Sequence, residues 1–283
     1  MTLTPDKPAY GHYALTGTDR RLLSLAQNQQ TSWLGRRLAL IARRLVLSGR
    51  SQPIDAEAEG LRLRVHVNDN VSERKFLFMP RFFDLAERDY LTRHLTPGGT
   101  FIDIGANAGI YTLTAARAYA RLGGGRVLAV EANPIMQARL KYNVTLNELN
   151  KHVEVAPVAL SSRDGEVSFS ISNDNLGESG LLATGGRNIR VPCMTLASLL
   201  VAHDINRLDG MKIDVEGMED VILSPFLAQA DATLLPRFII IENSANRWHN
   251  NLLGELAAKG YREHARHKMN LVLVLPGTNQ SRP

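Results

Sequence analysis

The sequence predicts an α/β protein with a mostly parallel sheet and helices on both of its faces. Two observations predict it. Strand and helix signals alternate from residue 101 onward: 101–106 strand, 110–122 helix, 126–131 strand, 134–146 helix, 153–159 strand. Strands joined through helices mark a parallel sheet whose two faces are covered. The second observation is the stretch 101–112, Phe-Ile-Asp-Ile-Gly-Ala-Asn-Ala-Gly-Ile-Tyr-Thr, where an apolar run breaks at Gly105 and enters a helical pattern after Gly109. A strand, a tight turn and a helix N-terminus follow one another there.

In chain order, the first segment differs from the rest. Residues 1–10 hold no apolar core of the signal-peptide type, and no uninterrupted apolar run is long enough to span a bilayer. The one cysteine, Cys193, has no partner for a disulfide within the chain; it lies in a strand-like segment where packing is expected rather than catalysis. A cytoplasmic location is the expectation. The hydrophobic content of 44% supports a substantial core. The stretch from Arg20 to Arg50 holds seven arginines and no Asp, Glu or Lys, so taking those seven from the net charge of +5 leaves −2 for the remainder. The body is not a basic surface, and no nucleic-acid partner is expected. Within the basic stretch, Leu34, Leu38, Ile41 and Leu45 share one face at helical spacing, with Arg36 and Arg43 pointing away and Arg37 and Arg44 on the flanks. Two readings stand for this helix. It packs on its own domain with the arginines in water, or it makes a peripheral membrane or protein contact through residues 20–50. Residues 1–60 are assigned to a basic helical extension and 61–283 to the main domain.

Residues 52–60 contain a proline and acids and read as a break. Residues 61–67 alternate apolar with Arg and His as a strand, with 75–79 as its expected hairpin partner. Residues 84–95 read as a helix that ends before Pro97-Gly98-Gly99. In the alternating part, Gly123-Gly124-Gly125 stops the first helix, and Pro134 suits the first turn of the second. Asp164-Gly165 signals a turn. Val167, Phe169 and Ile171 then alternate with Ser168, Ser170 and Ser172, a strand with one wet face. Residues 173–186 read as a loop, and 164–195 as an insertion over the sheet edge, close to the substrate. Residues 211–215 form a short buried strand followed by a helix from Glu219. Residues 238–241 form another strand, closed by Glu242-Asn243-Ser244. Residues 251–259 are a helix stopped by Gly260, and 271–275 are the final strand.

The turn at 105–109 bears on the chemistry. Such a turn brings backbone N–H groups and the positive end of a helix dipole to a ligand, and Gly105 and Gly109 remove side chains that would block its approach. Dinucleotides, phosphates and S-adenosyl groups all use turns of this type. The spacing D-x-G-x-x-x-G departs from the dinucleotide pattern G-x-G-x-x-G, and no Lys-Ser or Lys-Thr follows for a phosphate loop. Asp103, two residues before the first glycine, suits a ligand with positive charge, such as the ammonium and sulfonium of a methionyl group. A plain structural turn is the competing reading. Acids also stand at successive strand ends: Asp103, Glu131, Asp214 with Glu216, and Glu242. Open α/β sheets bind ligands beyond those ends. Glu131, on the strand beside the turn, is placed to accept hydrogen bonds from both hydroxyls of a ribose. Glu216 is the first candidate for a general base, ahead of Asp214 and Glu242; its competing role is to cap the helix that follows. A divalent metal held by these acids is a further reading, which no His-rich ligand set supports. Trp248 and His249 line the acceptor pocket or belong to a surface loop.

Three segments together, 101–112, Val-Glu-Ala-Asn-Pro (130–134) and Lys-Ile-Asp-Val-Glu-Gly-Met-Glu (212–219), resemble the FkbM family of S-adenosylmethionine-dependent methyltransferases. The resemblance covers about residues 84–245. It implies a class I methyltransferase (Rossmann-like) sheet of seven strands whose last strand is antiparallel, and O-methylation of a sugar, glycan or other small molecule. It implies that Asp103, Gly105, Asn107 and Gly109, with Ala106 in the same turn, hold the methionyl part of S-adenosyl-L-methionine. Glu131, followed by Ala132 and Asn133, would hold the ribose, and Asp214 and Glu216 would face the reacting centre. Residues 1–60 match nothing in the family. Two other function classes stand beside this one: a module that binds an S-adenosyl group without turnover, and an NAD-dependent oxidoreductase, against which the missing G-x-G-x-x-G argues.

Overall fold

The structure, a computed structural model, describes residues 8–172, 175–181, 186–267 and 270–277. Two helices, α1 (Gly17–Gln27) and α2 (Trp33–Leu47), lead into a hairpin of β1 (Ile54–Ala58) and β2 (Leu61–Val65), then α3 (Val71–Phe78) and α4 (Leu85–His94). The alternating part follows as β3 (Thr100–Ile104), α5 (Ile110–Arg121), β4 (Arg126–Val130), α6 (Pro134–Leu146) and β5 (Val153–Ala156). An excursion comes next: β6 (Ala159–Leu160), β7 (Gly165–Ile171), β8 (Arg187–Met194) and α7 (Leu196–Ala202). The chain returns with β9 (Gly210–Ile213), α8 (Glu219–Gln229), β10 (Phe238–Glu242), α9 (Leu252–Ala258), β11 (Arg262–His267) and β12 (Asn270–Val274).

Seven strands form one sheet in the order β11-β12-β10-β9-β3-β4-β5. Strands β3, β4, β5, β9 and β10 run parallel, and the last strand, β12, is antiparallel to both its neighbours, β10 and β11. This is the sheet that the resemblance implied. From β3 the chain winds outward to β5 on one side, and later to β10 on the other. That reversal opens a crevice between the carboxyl ends of β3 and β9, the place where open α/β sheets bind ligands.

Successive side chains on each central strand enter different cores, as the period of two in a strand requires. Phe101, Val127, Ala129, Phe238 and Ile240 join the face covered by α5, α6 and the N-terminal helices. Ile102, Ile104, Leu128, Val130, Ile239 and Ile241 join the face covered by α7, α8 and α9. Burial on both faces is why these strands read as unbroken apolar runs. A third cluster, including Ala132, Met136, Phe169, Leu176 and Cys193, joins the small sheet β6-β8-β7 to the start of α6. Cys193 is a packing residue there, and burial pushes its thiol up.

Outside this frame the structure differs from the sequence expectations. The stretch 52–60 is not a break, because β1 pairs antiparallel with β2, Ile54 opposite Val65. Its acids disguised it. Asp55 is buried because Arg64 reaches it twice, Nε to Oδ1 at 2.7 Å and Nη2 to Oδ2 at 2.9 Å. Residues 75–79, expected as the partner of 61–67, belong mostly to α3, which Asn70 caps by accepting from the Glu73 N–H. Phe76, Leu77 and Phe78 are all fully buried, which a half-exposed hairpin strand would not achieve. The division at 60/61 falls inside the β1–β2 turn, and α1, α2 and β1 share one core with α5 and the sheet. The expected strand 153–159 divides into β5 and β6, the latter paired with β8. Ser170, expected on a wet face, is buried and exchanges main-chain bonds with Gly180. Within 173–186 a 3₁₀ turn covers Leu176–Glu178, and 173–174 and 182–185 lie outside the described residues. An unexpected strand, β11, is an exposed edge without apolar alternation, held by its pairing to β12.

The helix α2 packs on the protein, but not by the expected face. Gly35, Ala39, Ala42 and Val46 are buried, whereas Leu34, Leu38, Ile41 and Leu45 are exposed. Small side chains on the buried face let the axes of α1 and α2 approach closely. Among the described residues no helix is long and apolar enough to cross a membrane.

Candidate active site

Strand β3 ends at the turn that leads into α5. Gly105, Asn107 and Gly109 take positive φ values of 76°, 53° and 95°. The close approach that demands glycine is made by the protein itself. A Cβ on Gly105 would stand 2.0 Å from the Asp214 carbonyl oxygen, and one on Gly109 would stand 2.5 Å from Leu140 Cδ1. The amides of the turn are also engaged internally. Gly105 and Ala106 donate to Val130 O, Asn107 N–H to Glu131 Oε2, Ala108 N–H to Asn107 Oδ1 and Gly109 N–H to Ala106 O. The turn therefore does not offer these amides to a ligand, as its sequence suggested. It locks β3, β4 and β9 together.

Two lobes open beside the turn. The first is walled by residues that include Glu131, Ala132, Met136, Phe169 and Leu181. The second is walled by residues that include Asp84, Asp103, Ala106, Tyr111 and Lys212. Gly105, Asn107, Gly177, Asp214 and Glu216 line both. Glu131 is buried, and each of its oxygens holds one amide: Oε2 accepts from Asn107 N at 2.7 Å and Oε1 from Asn133 N at 2.7 Å. A carboxylate oxygen has a further lone pair, so each can still accept from a ligand hydroxyl. Burial pushes the Glu131 carboxyl up to about 7, against the pull of those two bonds. Asn133 lines neither lobe; it caps α6 by accepting from Ile135 N at 3.0 Å. Gly109 lies outside both lobes as well.

In the second lobe, Asp103 is buried and accepts from Thr112 Oγ1 at 2.5 Å. Burial lifts it to about 6. Lys212 is buried on β9, with Nζ 3.0 Å from Asp214 Oδ2 and 5.4 Å from the centre of the Tyr111 ring. Burial works to lower its pKa, but Asp214, Asp84 and Asp103 more than reverse this and hold it above the ordinary lysine value. Tyr111 donates its hydroxyl to Asp84 Oδ2 at 3.3 Å. Four carboxyl groups, Asp84, Asp103, Asp214 and Glu216, face this lobe beside the one ammonium of Lys212. Such a lobe favours a ligand with positive charge. The sequence reading assigned no role to Asp84, Tyr111 or Lys212. For Lys212 a signal existed: a lysine inside a strand of otherwise apolar residues must find a carboxylate if it is buried.

Glu216 takes a φ of 57°, a left-handed conformation uncommon outside glycine. It does not cap α8. Glu219 satisfies that turn, its Oε1 accepting from Val215 N at 3.0 Å and Gly217 N at 3.3 Å. Glu216 is left half-buried at the junction of the lobes, with its Oε2 3.6 Å from Arg247 Nη1. Burial, then the neighbouring charges of Asp214 and Glu242, push it up to about 7, and Arg247 pulls the other way. Glu242 lines neither lobe; its Oε2 accepts from Ser244 Oγ at 3.0 Å and Arg247 Nη2 at 3.3 Å. Oxygens of Asp214, Glu219 and Glu242 lie within 4.8 Å of one another. Each of these carboxylates already accepts from the protein: Asp214 from Lys212, Glu219 from the turn amides and Trp248 Nε1, Glu242 from Ser244 and Arg247. Trp248 thus braces Glu219, and His249 gives its backbone N–H to Asp220 while its ring stays exposed. Neither lines a lobe. The geometry combines a buried acceptor for paired hydroxyls, a lobe that favours a cation, and between them a carboxyl group that titrates near neutrality.

A family model described as the methyltransferase FkbM domain matches residues 103–263. No curated protein matches the sequence. Among solved structures, the chain is similar to the methyltransferase FkbM from Methylobacillus flagellatus KT, at 15% identity and a TM-score of 0.41 over 85% of this chain and 60% of that one. It is similar to a METTL16 methyltransferase domain at 16% identity and a TM-score of 0.46, covering 90% of each chain. It is also similar to an O-methyltransferase from Bacillus cereus in complex with SAH, at 14% identity and a TM-score of 0.40 over 68% of this chain and 81% of that one.

Proposed function

The chain belongs to the methyltransferase FkbM family, and from that premise we propose that it moves the methyl group of S-adenosyl-L-methionine to a hydroxyl of a sugar, glycan or other small molecule. The observation that carries this reading is the pair of lobes joined at Asp214 and Glu216. One lobe offers the buried Glu131 carboxylate to a ribose; the other, with four carboxyl groups against one lysine, suits the charged methionyl end. The donor set fits the molecule on both sides of the junction.

When bound, S-adenosyl-L-methionine supplies a methyl group on a cationic sulfur that departs as a neutral thioether. The chain supplies placement and a base. Glu131 accepts from the ribose hydroxyls and is itself fixed by the Asn107 and Asn133 amides. Phe169, Leu176 and Leu181 give the first lobe an apolar wall. Glu216 takes the proton of the acceptor hydroxyl as the new O–C bond forms. Arg247 steadies it, Nη1 donating to the Glu216 carbonyl oxygen at 3.1 Å. Holding the reactants in line is worth about 7–11 kcal/mol in well-oriented cases, and a positioned base adds about 10²–10⁴-fold. We place the reaction in the cytoplasm, in keeping with the single buried thiol.

A thermal-shift panel of S-adenosylmethionine, S-adenosylhomocysteine, NAD and NADP tests the cofactor. The two S-adenosyl ligands should raise the melting temperature and the nicotinamide ligands should not; the reverse pattern overturns the reading. Labelled methyl donor incubated with glycan and lipid-linked sugar extracts tests the transfer. Label should appear in an ether stable to mild alkali. Tight binding with no labelled product from any extract would make the chain a binding module instead.

A further inference from the structure

The helix α2 leaves its largest apolar side chains outside the protein. Trp33 is 71% exposed, Leu34 59%, Ile41 57% and Leu45 57%, with Leu38 at 40%. At helical spacing, Leu34, Leu38, Ile41 and Leu45 fall within an arc of about 60°. Arg37 and Arg44 border this stripe, and the Arg37 guanidinium lies 4.6 Å from the centre of the Trp33 ring. Beside it, Arg43 and Arg44 of α2 and Arg74 of α3 line an open cleft with Leu40 and Leu47. Among the described residues none of Arg36, Arg37, Arg43, Arg44 or Arg74 forms an ion pair. Arg74 donates Nη1 to Val67 O, and its Nε is buried without a partner. Arg43 and Arg74 line this cleft together and no carboxylate is among its lining residues; burial and then Arg74 lower the Arg43 pKa.

The stripe calls for apolar cover, and Arg37 and Arg44 along its border call for negative charge, while Arg43 points away from it. An anionic bilayer surface offers both, acyl chains below and phosphates above. We infer that α2 seats the chain on a membrane surface rich in anionic lipid. Leu34, Leu38, Ile41 and Leu45 enter the headgroup boundary, and Arg37 and Arg44 meet lipid phosphates. The contact is peripheral. It adjoins the crevice through the cleft that Arg44 shares with Arg74. Arg74 lines the basic cleft, and Ser72, two residues earlier on α3, lines the second lobe. Asn70, at the start of α3, donates to Asn107 Oδ1 at 2.6 Å. A chain seated in this way holds its crevice near acceptors carried on that surface. That consequence rests on the proposed methyl transfer, whereas the seating does not.

Flotation of the full-length protein with vesicles tests the seating without any activity readout. The protein should float with phosphatidylcholine and phosphatidylglycerol in equal parts, and stay behind with phosphatidylcholine alone. Replacing Arg37→Gln together with Arg44→Gln should lower the partition coefficient on the order of fivefold per charge. Replacing Ile41→Ser together with Leu45→Ser, both exposed, should lower it by about tenfold or more, with an unchanged circular dichroism spectrum. Equal flotation with neutral vesicles, none with anionic ones, or full flotation of the serine variant would each overturn the inference. So would a wild-type dimer that the serine variant splits while neither floats, since a second copy would then be the cover for the stripe.

Discussion

Glu216 sits where a carboxylate is costly to ionise: half-buried, facing Asp214 and Glu242, on a left-handed backbone. A base acts in its charged form, and a raised pKa means that this form is lost below about 7. At saturating cofactor, kcat should therefore climb about tenfold per pH unit up to that midpoint and level off above it. Glu216→Gln should retain cofactor affinity in calorimetry, lose about 10²–10⁴ in kcat and lose the climb as well. Full turnover in that variant would remove Glu216 as the base. Glu131 also titrates near 7, because of burial, but its effect belongs to binding. Protonation below that value takes away acceptor capacity, so cofactor affinity should weaken as the pH falls. Glu131→Ala should weaken it at neutral pH by about 1.5–3 kcal/mol, the range for hydrogen bonds to a charged group. Calorimetry without an acceptor isolates the effect on binding, and the share due to Glu131 is the part of the pH dependence that Glu131→Ala removes.

At the scale of elements, the turn 105–109 works as a clamp. Gly105 combines a φ of 76° with an Asp214 carbonyl oxygen 2.0 Å from where a Cβ would stand, so β9 passes against β3 with no room for a side chain. Gly105→Ala should cost about 2–5 kcal/mol, adding backbone strain to overpacking, seen as a lower urea midpoint. Gly98 provides the control. Its φ is 71°, yet nothing lies within 4 Å of its Cβ position, so Gly98→Ala should cost only about 1 kcal/mol. Equal losses at the two positions would mean that the contact with Asp214 does not matter. The helices α6 and α8 begin where their sequences place them, because Pro134 suits a first turn and the glycine and acids before α8 mark its start. Strand β1 was not legible in the same way. Its Asp55 looks like a linker residue until Arg64 is brought beside it, and that pairing is a product of the hairpin. The face on which α2 packs was misread for a related reason. Periodicity reveals an apolar stripe but not the neighbour, and α1 selected the small residues.

Across the whole molecule, Asp55 and Arg64 join parts far apart in the chain. Asp55 Oδ2 accepts from Gly11 N at 2.9 Å and Tyr13 N at 3.1 Å. Arg64 donates to Pro8 O and Ala9 O, and its own N–H reaches Asn143 Oδ1 in α6 at 3.1 Å. One buried ion pair thus ties the N-terminal segment, the hairpin and α6 together. Asp55→Ala strands a buried guanidinium and should destabilise the fold by about 3–5 kcal/mol. Unfolding in urea should remain a single transition by both tryptophan fluorescence and circular dichroism. A separate early transition would instead make residues 1–60 an independent unit.

Taken alone, the sequence determined the parallel sheet, the glycine turn at its centre, and the row of acids at one edge. These follow from short-range rules: apolar period, turn residues, and the convergence of parallel strand ends. Tertiary structure decided what each residue does there. It turned the amides of residues 105–109 inward, gave the turn before α8 to Glu219, left Glu216 at the junction of the lobes, and brought Asp84, Tyr111 and Lys212 to the second lobe. Those outcomes depend on which strands and loops become neighbours across long stretches of chain. No local pattern encodes that adjacency, because it is fixed only when both faces of the sheet are buried and charges such as Asp55 and Lys212 have met their partners.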